Sequence, residues 1–114
     1  MTGQSHDAEP VIVRLPIEID GTNVDKVRDL LYAACIPSAD VVVADLTATG
    51  FCDSCGFREM VTGSRLLAAA GIELRLALPP GPVRQVMHLL GLDEAVPVFS
   101  TIGAAATGDP VTRN

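Results

Sequence analysis

The chain has 114 residues, room for one domain, and its 48% apolar and 19% charged content can build a core, so a disordered chain is excluded. With no Trp, one Tyr and three Phe, that core must be aliphatic. The net charge is -6, and Lys26 is the one lysine among eight basic residues. No basic stripe is available for phosphate backbones or anionic lipid, which argues against nucleic acid and membrane surfaces as partners.

Residues 1–10 are polar, carry no signal-peptide core, and read as a flexible leader. No apolar run approaches the roughly 20 residues of a membrane span, so a cytoplasmic location is expected. Val11, Val13, Leu15, Ile17 and Ile19 alternate with other residues, which is strand periodicity. Pro16 marks an edge, a bulge or a break, with the strand doubled around it or paired antiparallel. Asp20-Gly21-Thr22-Asn23 is turn and N-cap chemistry. A helix to about Ala34 follows, with Val24, Val27, Leu31 and Ala34 on one face.

Val41 to Leu46 is a continuous apolar run ending in Asp45-Leu46, the pattern of a central strand buried on both faces. After a turn at Thr47–Gly50, Asp53 or Ser54 caps a second helix with Phe57, Met60, Val61, Leu67 and Ala68 at helical spacing. Gly63 weakens this helix and Gly71 is its expected C′ residue. Ile72, Leu74, Leu76 and Leu78 alternate as another strand. Pro82 suits the first position of a third helix with a stripe of Val83, Val86, Met87 and Leu90, ended by Gly91. Val96 to Phe99 is a short last strand, Ser100 or Thr101 caps an Ala-rich helix, and residues 108–114 read as a flexible tail. The β-α-β-α-β-α-β-α order predicts crossover helices and a largely parallel sheet within one domain over residues 11–107.

In such folds function gathers where strands end and helices begin. The most unusual junction is Phe51-Cys52-Asp53-Ser54-Cys55-Gly56. On the plain reading Asp53-Ser54 only caps a helix. On the sharper one Ser54 accepts a phosphate, which a helix N-terminus tolerates through its free N–H groups and dipole, and the added charge disrupts a docked partner. Gly56 in the first turn allows another backbone to come close. Cys52 and Cys55 form a C-x-x-C, but Asp53 between them opposes thiolate formation, and a lone C-x-x-C is a weak redox signal. A zinc site would have to gather Cys35, Cys52 and Cys55 with His6, in the leader, or His88, in the third helix, so no metal is expected. No Walker A, G-x-G-x-x-G, G-x-S-x-G or H-E-x-x-H motif occurs, and neither cofactor nor catalytic set is expected.

Several of these segments together resemble a known family. Val-Val-Val-Ala-Asp-Leu from Val41, Phe51 to Phe57, Ala70-Gly71-Ile72-Glu73-Leu74, Pro82 to Val86, Leu89 to Asp93 and Val96-Pro97-Val98 are similar to the STAS domain of anti-sigma factor antagonists of the SpoIIAA and RsbV type. Leu15 to Asp20 looks like that family's Gly-Glu-Leu-Asp segment. The D-S-x-G element with a Gly-Leu-Asp about 35 residues later is specific as a combination. Three features depart from the pattern: Cys55 stands at a usual hydroxyl residue, Ile17 behind Pro16 replaces the glycine, and the leader is short for the usual first strand.

The resemblance implies a mixed sheet of four or five strands flanked by about four helices. It implies a non-enzymatic antagonist that binds an anti-sigma factor/serine kinase of the GHKL type when unphosphorylated, is released on phosphorylation of Ser54, and is reset by a phosphatase. Asp53 would orient the Ser54 hydroxyl, and Asp20, Asp53, Ser54, Cys55 and Gly56 would form the docking patch. The alternative is a STAS interaction subunit of a stress-signalling or lipid-transport assembly, not controlled by phosphorylation and tuned instead by oxidation of Cys52 and Cys55. Nothing in the pattern sets the oligomeric state.

Overall fold

The computed structural model describes residues 9–108; the rest of the leader and of the tail expected from the sequence lies outside them. The elements are β1 (Val11–Arg14), β2 (Glu18–Ile19), α1 (Val24–Ala33), β3 (Val41–Asp45), β4 (Phe51–Cys52), α2 (Ser54–Ala69), β5 (Glu73–Ala77), α3 (Pro82–Leu89), a 3-10 turn (Leu92–Glu94), β6 (Val98–Phe99) and α4 (Ile102–Thr107). The main sheet has the order β1-β3-β5-β6, and β2 pairs with β4 in a separate two-stranded ladder. All of these pairings are parallel.

A strand order that follows the sequence in one direction sends the crossover helices to one face of the sheet. Val27 and Leu31 of α1, Phe57, Met60 and Leu67 of α2, and Val83 and Met87 of α3 share one core with Val13, Val42, Ala44, Leu74, Leu76 and Val98. The opposite face is covered by α4, whose Ala104 and Ala105 pack on Val43, Ala77 and Phe99. Neighbouring residues of β3 therefore meet different helices, which is why Val42 to Leu46 are all buried, Asp45 at the strand end included. Arg75 on β5 reaches across this second face and donates from Nη1 to the carbonyls of Ala105 and Ala106, which the end of α4 leaves unpaired.

The opening strand is doubled around Pro16, and the antiparallel alternative does not occur. Leu15 N–H still donates to Asp45 O at 3.0 Å. Pro16 has no N–H with which to continue, and its carbonyl accepts instead from Thr49 Oγ1 at 2.8 Å. The chain leaves β3 there and joins β4, at the Phe51–Cys52 junction where the sequence reading assigned no strand.

The expected N-cap at Asp20–Asn23 is not made. Asn23 occupies the cap position of α1 with no side-chain cap bond. Its side chain closes the preceding turn, Oδ1 accepting from Asp20 N–H and Nδ2 donating to Glu18 O. Thr101, of the two candidates, caps α4 by accepting from Ala104 N–H. Gly71 ends α2 at φ 81° in a Schellman arrangement, with Ile72 N–H on Leu67 O and Gly71 N–H on Ala68 O. The stripe expected on α3 is only half buried: Val83 and Met87 point inward, while Val86 and Leu90 are exposed.

Gly63, an apparent weakness in α2, marks where α1 crosses. A Cβ there would stand 3.1 Å from Leu31 Cδ1. The same two helices are joined by Arg28, which donates from Nη2 and Nε to the carboxylate of the buried Glu59. Gly63→Leu is expected to destabilise the fold by about 1–3 kcal/mol through overpacking, read as a lower urea midpoint; an unchanged midpoint would show that the helices separate at no cost.

Candidate functional site

The β2–β4 ladder sets Glu18 beside Phe51 and Ile19 beside Cys52. Asp53 N–H then donates to Ile19 O at 3.1 Å, which ends the ladder and turns the chain into α2. Asp53, not Ser54, is the N-cap of α2. Its Oδ1 accepts from Gly56 N–H at 3.1 Å, and its carbonyl accepts from Phe57 N–H. Ser54 is thus the first helical residue and is exposed. Among the described residues no hydrogen bond holds its hydroxyl, and the Asp53 carboxylate is engaged with the backbone.

Gly56 is buried. A Cβ at this position would lie 2.6 Å from Ile19 Cγ2 and 2.7 Å from Cys52 Sγ. The close approach expected of another backbone is made instead by the Ile19 and Cys52 side chains of β2 and β4, packed against the first turn of α2. The same packing brings the turn after β2 alongside, so that a Cβ on Gly21 would be 3.8 Å from Cys55 Sγ. Asp20, Asp53, Ser54 and Cys55 therefore gather at one corner, with Gly56 beneath them. The Asp20 carboxylate accepts from Thr22 Oγ1 at 2.5 Å and from Thr22 N–H at 2.8 Å. These bonds, the side-chain one first, hold its pKa below the ordinary carboxylate value and keep the corner negative.

The two thiols of the C-x-x-C differ. Cys55 is exposed, whereas Cys52 is buried and its Sγ donates to Asp53 O at 3.6 Å. Burial first, and the Asp53 charge second, push the Cys52 thiol up to about 12. A thiol held protonated in this way is a poor redox partner. Of the two histidines, His6 lies outside the described residues, and His88 is exposed on α3 with Nδ1 2.8 Å from Asp93 Oδ2. Among the described residues no three His, Cys, Asp or Glu side chains gather as a metal cluster, and no helix is long and apolar enough to cross a membrane.

The sequence reading missed a groove of about 300 Å³ beside Ser54, lined by Phe57, Arg58, Val61, Leu90 and Leu92. Leu90 of this lining is 54% exposed, and its chain neighbour Leu89 is 74% exposed. A signal was present in Leu89-Leu90, two adjacent leucines at the end of a helix whose buried stripe already holds Val83 and Met87.

The model of the STAS domain family matches residues 2–105, and the chain belongs to that family. Its fold is similar to the crystal structure of an anti-sigma factor antagonist from Mycobacterium paratuberculosis, with a TM-score of 0.78 and 24% identity over 88% of this chain and 85% of that one. It is also similar to the Bacillus cell fate determinant SpoIIAA in its phosphorylated form, with a TM-score of 0.60 and 23% identity over 85% of this chain and 88% of that one. The murine anion transporter Slc26a9 contains a similar segment, with a TM-score of 0.73 and 17% identity over 95% of this chain and 20% of the transporter. No curated protein matches the chain.

Because Cys52 has a raised folded pKa, its burial favours the fold below its ordinary value of 9.0, and that contribution is lost as pH rises from about 9 toward about 12. Wild type should therefore lose more stability than Cys52→Ala between pH 8 and pH 10, measured by urea unfolding. At pH 8, iodoacetamide should label Cys35 and Cys55 and spare Cys52 until the protein unfolds. Equal labelling of Cys52 and Cys55 in the native state would contradict this arrangement.

Proposed function

We propose that this chain is an anti-sigma factor antagonist controlled at Ser54. Unphosphorylated, it binds an anti-sigma factor that is a serine kinase of the GHKL type; phosphorylation of Ser54 releases it, and a phosphatase resets it. The protein acts by binding, without catalysis of its own, in the cytoplasm of a bacterium, as part of transcription control. The single observation that carries this reading is the position of Ser54: an exposed first helical residue, with no internal hydrogen bond among the described residues, on the rim of an apolar groove.

The physics of the switch follows from that position. A kinase reaches the hydroxyl without opening the fold. The phosphate then adds about -1.5 to -2 charge at a helix N-terminus, where the dipole and free N–H groups accept it, so the domain stays folded. Arg58, one turn further along α2 and lining the same groove, supplies a cation for the phosphate. A partner whose apolar side chains enter the groove beside Phe57 and Leu90 would meet a desolvated dianion in place of a hydroxyl. Asp20, Asp53 and Cys55 extend the docking patch around Ser54, with Gly56 beneath it shaping the corner. That Bacillus SpoIIAA has a phosphorylated form supports the reading.

The alternative, an interaction subunit of a larger assembly without phosphorylation, is supported by the likeness to a segment of Slc26a9. Tuning of such a subunit through a Cys52–Cys55 dithiol is disfavoured by the burial and raised pKa of Cys52.

Wild type, Ser54→Ala and Ser54→Asp, used as baits in a lysate of the source cell, separate these readings. A nucleotide-binding kinase should be held by wild type and Ser54→Ala and lost with Ser54→Asp, the far-ultraviolet circular dichroism of all three being alike. A partner held equally by Ser54→Asp overturns the switch. Leu90→Asp, which places a charge in the groove without burying it, should weaken the same complex by at least about tenfold, in line with the loss of one buried interface leucine. An unchanged affinity would place the docking surface elsewhere.

A further inference from the structure

We infer that the cleft between the first turn of α3 and the Leu92–Glu94 turn binds a small tetrahedral oxyanion, phosphate or a phosphomonoester, on Arg84. This cleft is separate from the Ser54 groove. It measures about 590 Å³ and is lined by Pro80, Gly81, Pro82, Arg84, Gln85, His88 and Asp93. It lies beyond the carboxyl ends of β5 and β6, the end of a parallel sheet at which α/β folds receive ligands.

Arg84 is only 8% exposed. Its Nη1 donates to Leu78 O at 3.1 Å and to Ser100 Oγ at 2.9 Å, both neutral acceptors. Its Nη2 is sealed from solvent and has no hydrogen-bond partner among the described residues. Desolvation lowers the guanidinium's pKa, and the charge of Asp93 opposes that only in part. A buried cation without a hydrogen-bonded counter-charge is costly, and an oxyanion that accepts from Nη2 removes that cost.

The surrounding backbone fits the same ligand. Arg84 is the third residue of α3, so the N–H groups of this first turn have no partner within the helix and face the end of its dipole. Gly81, the residue before the helix, has φ 157°, and a Cβ there would meet nothing within 4 Å. Packing thus does not call for glycine at this position; the backbone conformation does, and it leaves the approach to the start of α3 unobstructed. Gln85 and His88 line the same cleft and are exposed, and because Nη2 is sealed an oxyanion reaches it through a local side-chain rearrangement. The Asp93 carboxylate, held by His88, faces the cleft and limits affinity.

The test is a titration of the full chain with inorganic phosphate, and separately with phenyl phosphate, followed by amide proton–nitrogen NMR. Saturable shifts in the millimolar range are expected at Gly81, Val83 and Arg84 with phosphate, and tighter binding of phenyl phosphate would identify an ester as the better ligand. Arg84→Gln should weaken binding at least about tenfold, the worth of one charge-assisted bond. If that variant does not fold, Gln85→Glu, at an exposed position, decides the matter by adding a like charge and should weaken binding as well. Ser54→Ala must leave the affinity unchanged, so the outcome is independent of the switch proposed at that residue. Shifts that do not saturate, that centre on Ser54–Gly56, or that persist in folded Arg84→Gln overturn the proposal.

Discussion

The two-residue ladder between Glu18–Ile19 and Phe51–Cys52 is the constraint on which the candidate site depends. It exists because Pro16 ends the pairing of the first strand with β3 and because Gly56 lets Ile19 and Cys52 close on the first turn of α2. A side chain at Gly56 would push the turn at Asp20 away from Ser54 and take the corner apart. The ladder has little hydrogen bonding of its own, and burial of Ile19 and Cys52 beneath α2 holds it in place.

The sheet behind it provides rigidity. β3 and β5 are buried between three helices on one face and α4 on the other, so the start of α2 projects from a fixed base. The helix carrying Ser54 is locked along its length: Gly63 admits α1 closely, Arg28 pairs with the buried Glu59, and Gly71 closes the far end. Under the switch proposed at Ser54, such an element would carry a phosphate at its exposed tip without reorganising its core. This suits a switch that acts by changing a surface rather than a fold.

The two clefts divide the chemistry of the surface. The groove at Ser54 is apolar with one cation on its rim, Arg58, and suits a protein partner whose docking a phosphate would block. The cleft at Arg84 is polar, is built on proline, glycine and a helix start, and holds a buried guanidinium with an unpaired nitrogen. Both lie at helix N-termini that follow strands, where a parallel α/β fold leaves backbone N–H groups to be satisfied. They differ in whether the nearby cation is on the surface or desolvated.

Much of this was legible in the residues alone, because local chemistry leaves little choice. Alternation and apolar runs mark β3 and β5, Gly71 and Pro82 mark a helix end and a helix start, and the Asp53-Ser54 junction stands out as the candidate site. The resemblance carried by Phe51 to Phe57 and Leu89 to Asp93 named the family. What the residues could not decide depends on which surfaces meet. The pairing of β2 with β4 is a contact between segments about 30 residues apart; the alternation through Ile17 and Ile19 marks a strand but not its partner, and Phe51–Cys52 is too short to show periodicity. The exposure of Val86 and Leu90 follows from the angle at which α3 lies on the sheet; its helical spacing would have allowed either face inward. The burial of Cys52 against the exposure of Cys55, and the Arg84 nitrogen without a partner among the described residues, are likewise set by packing across the whole domain. Sequence order determines the elements, and long-range burial determines which of their side chains reach the solvent.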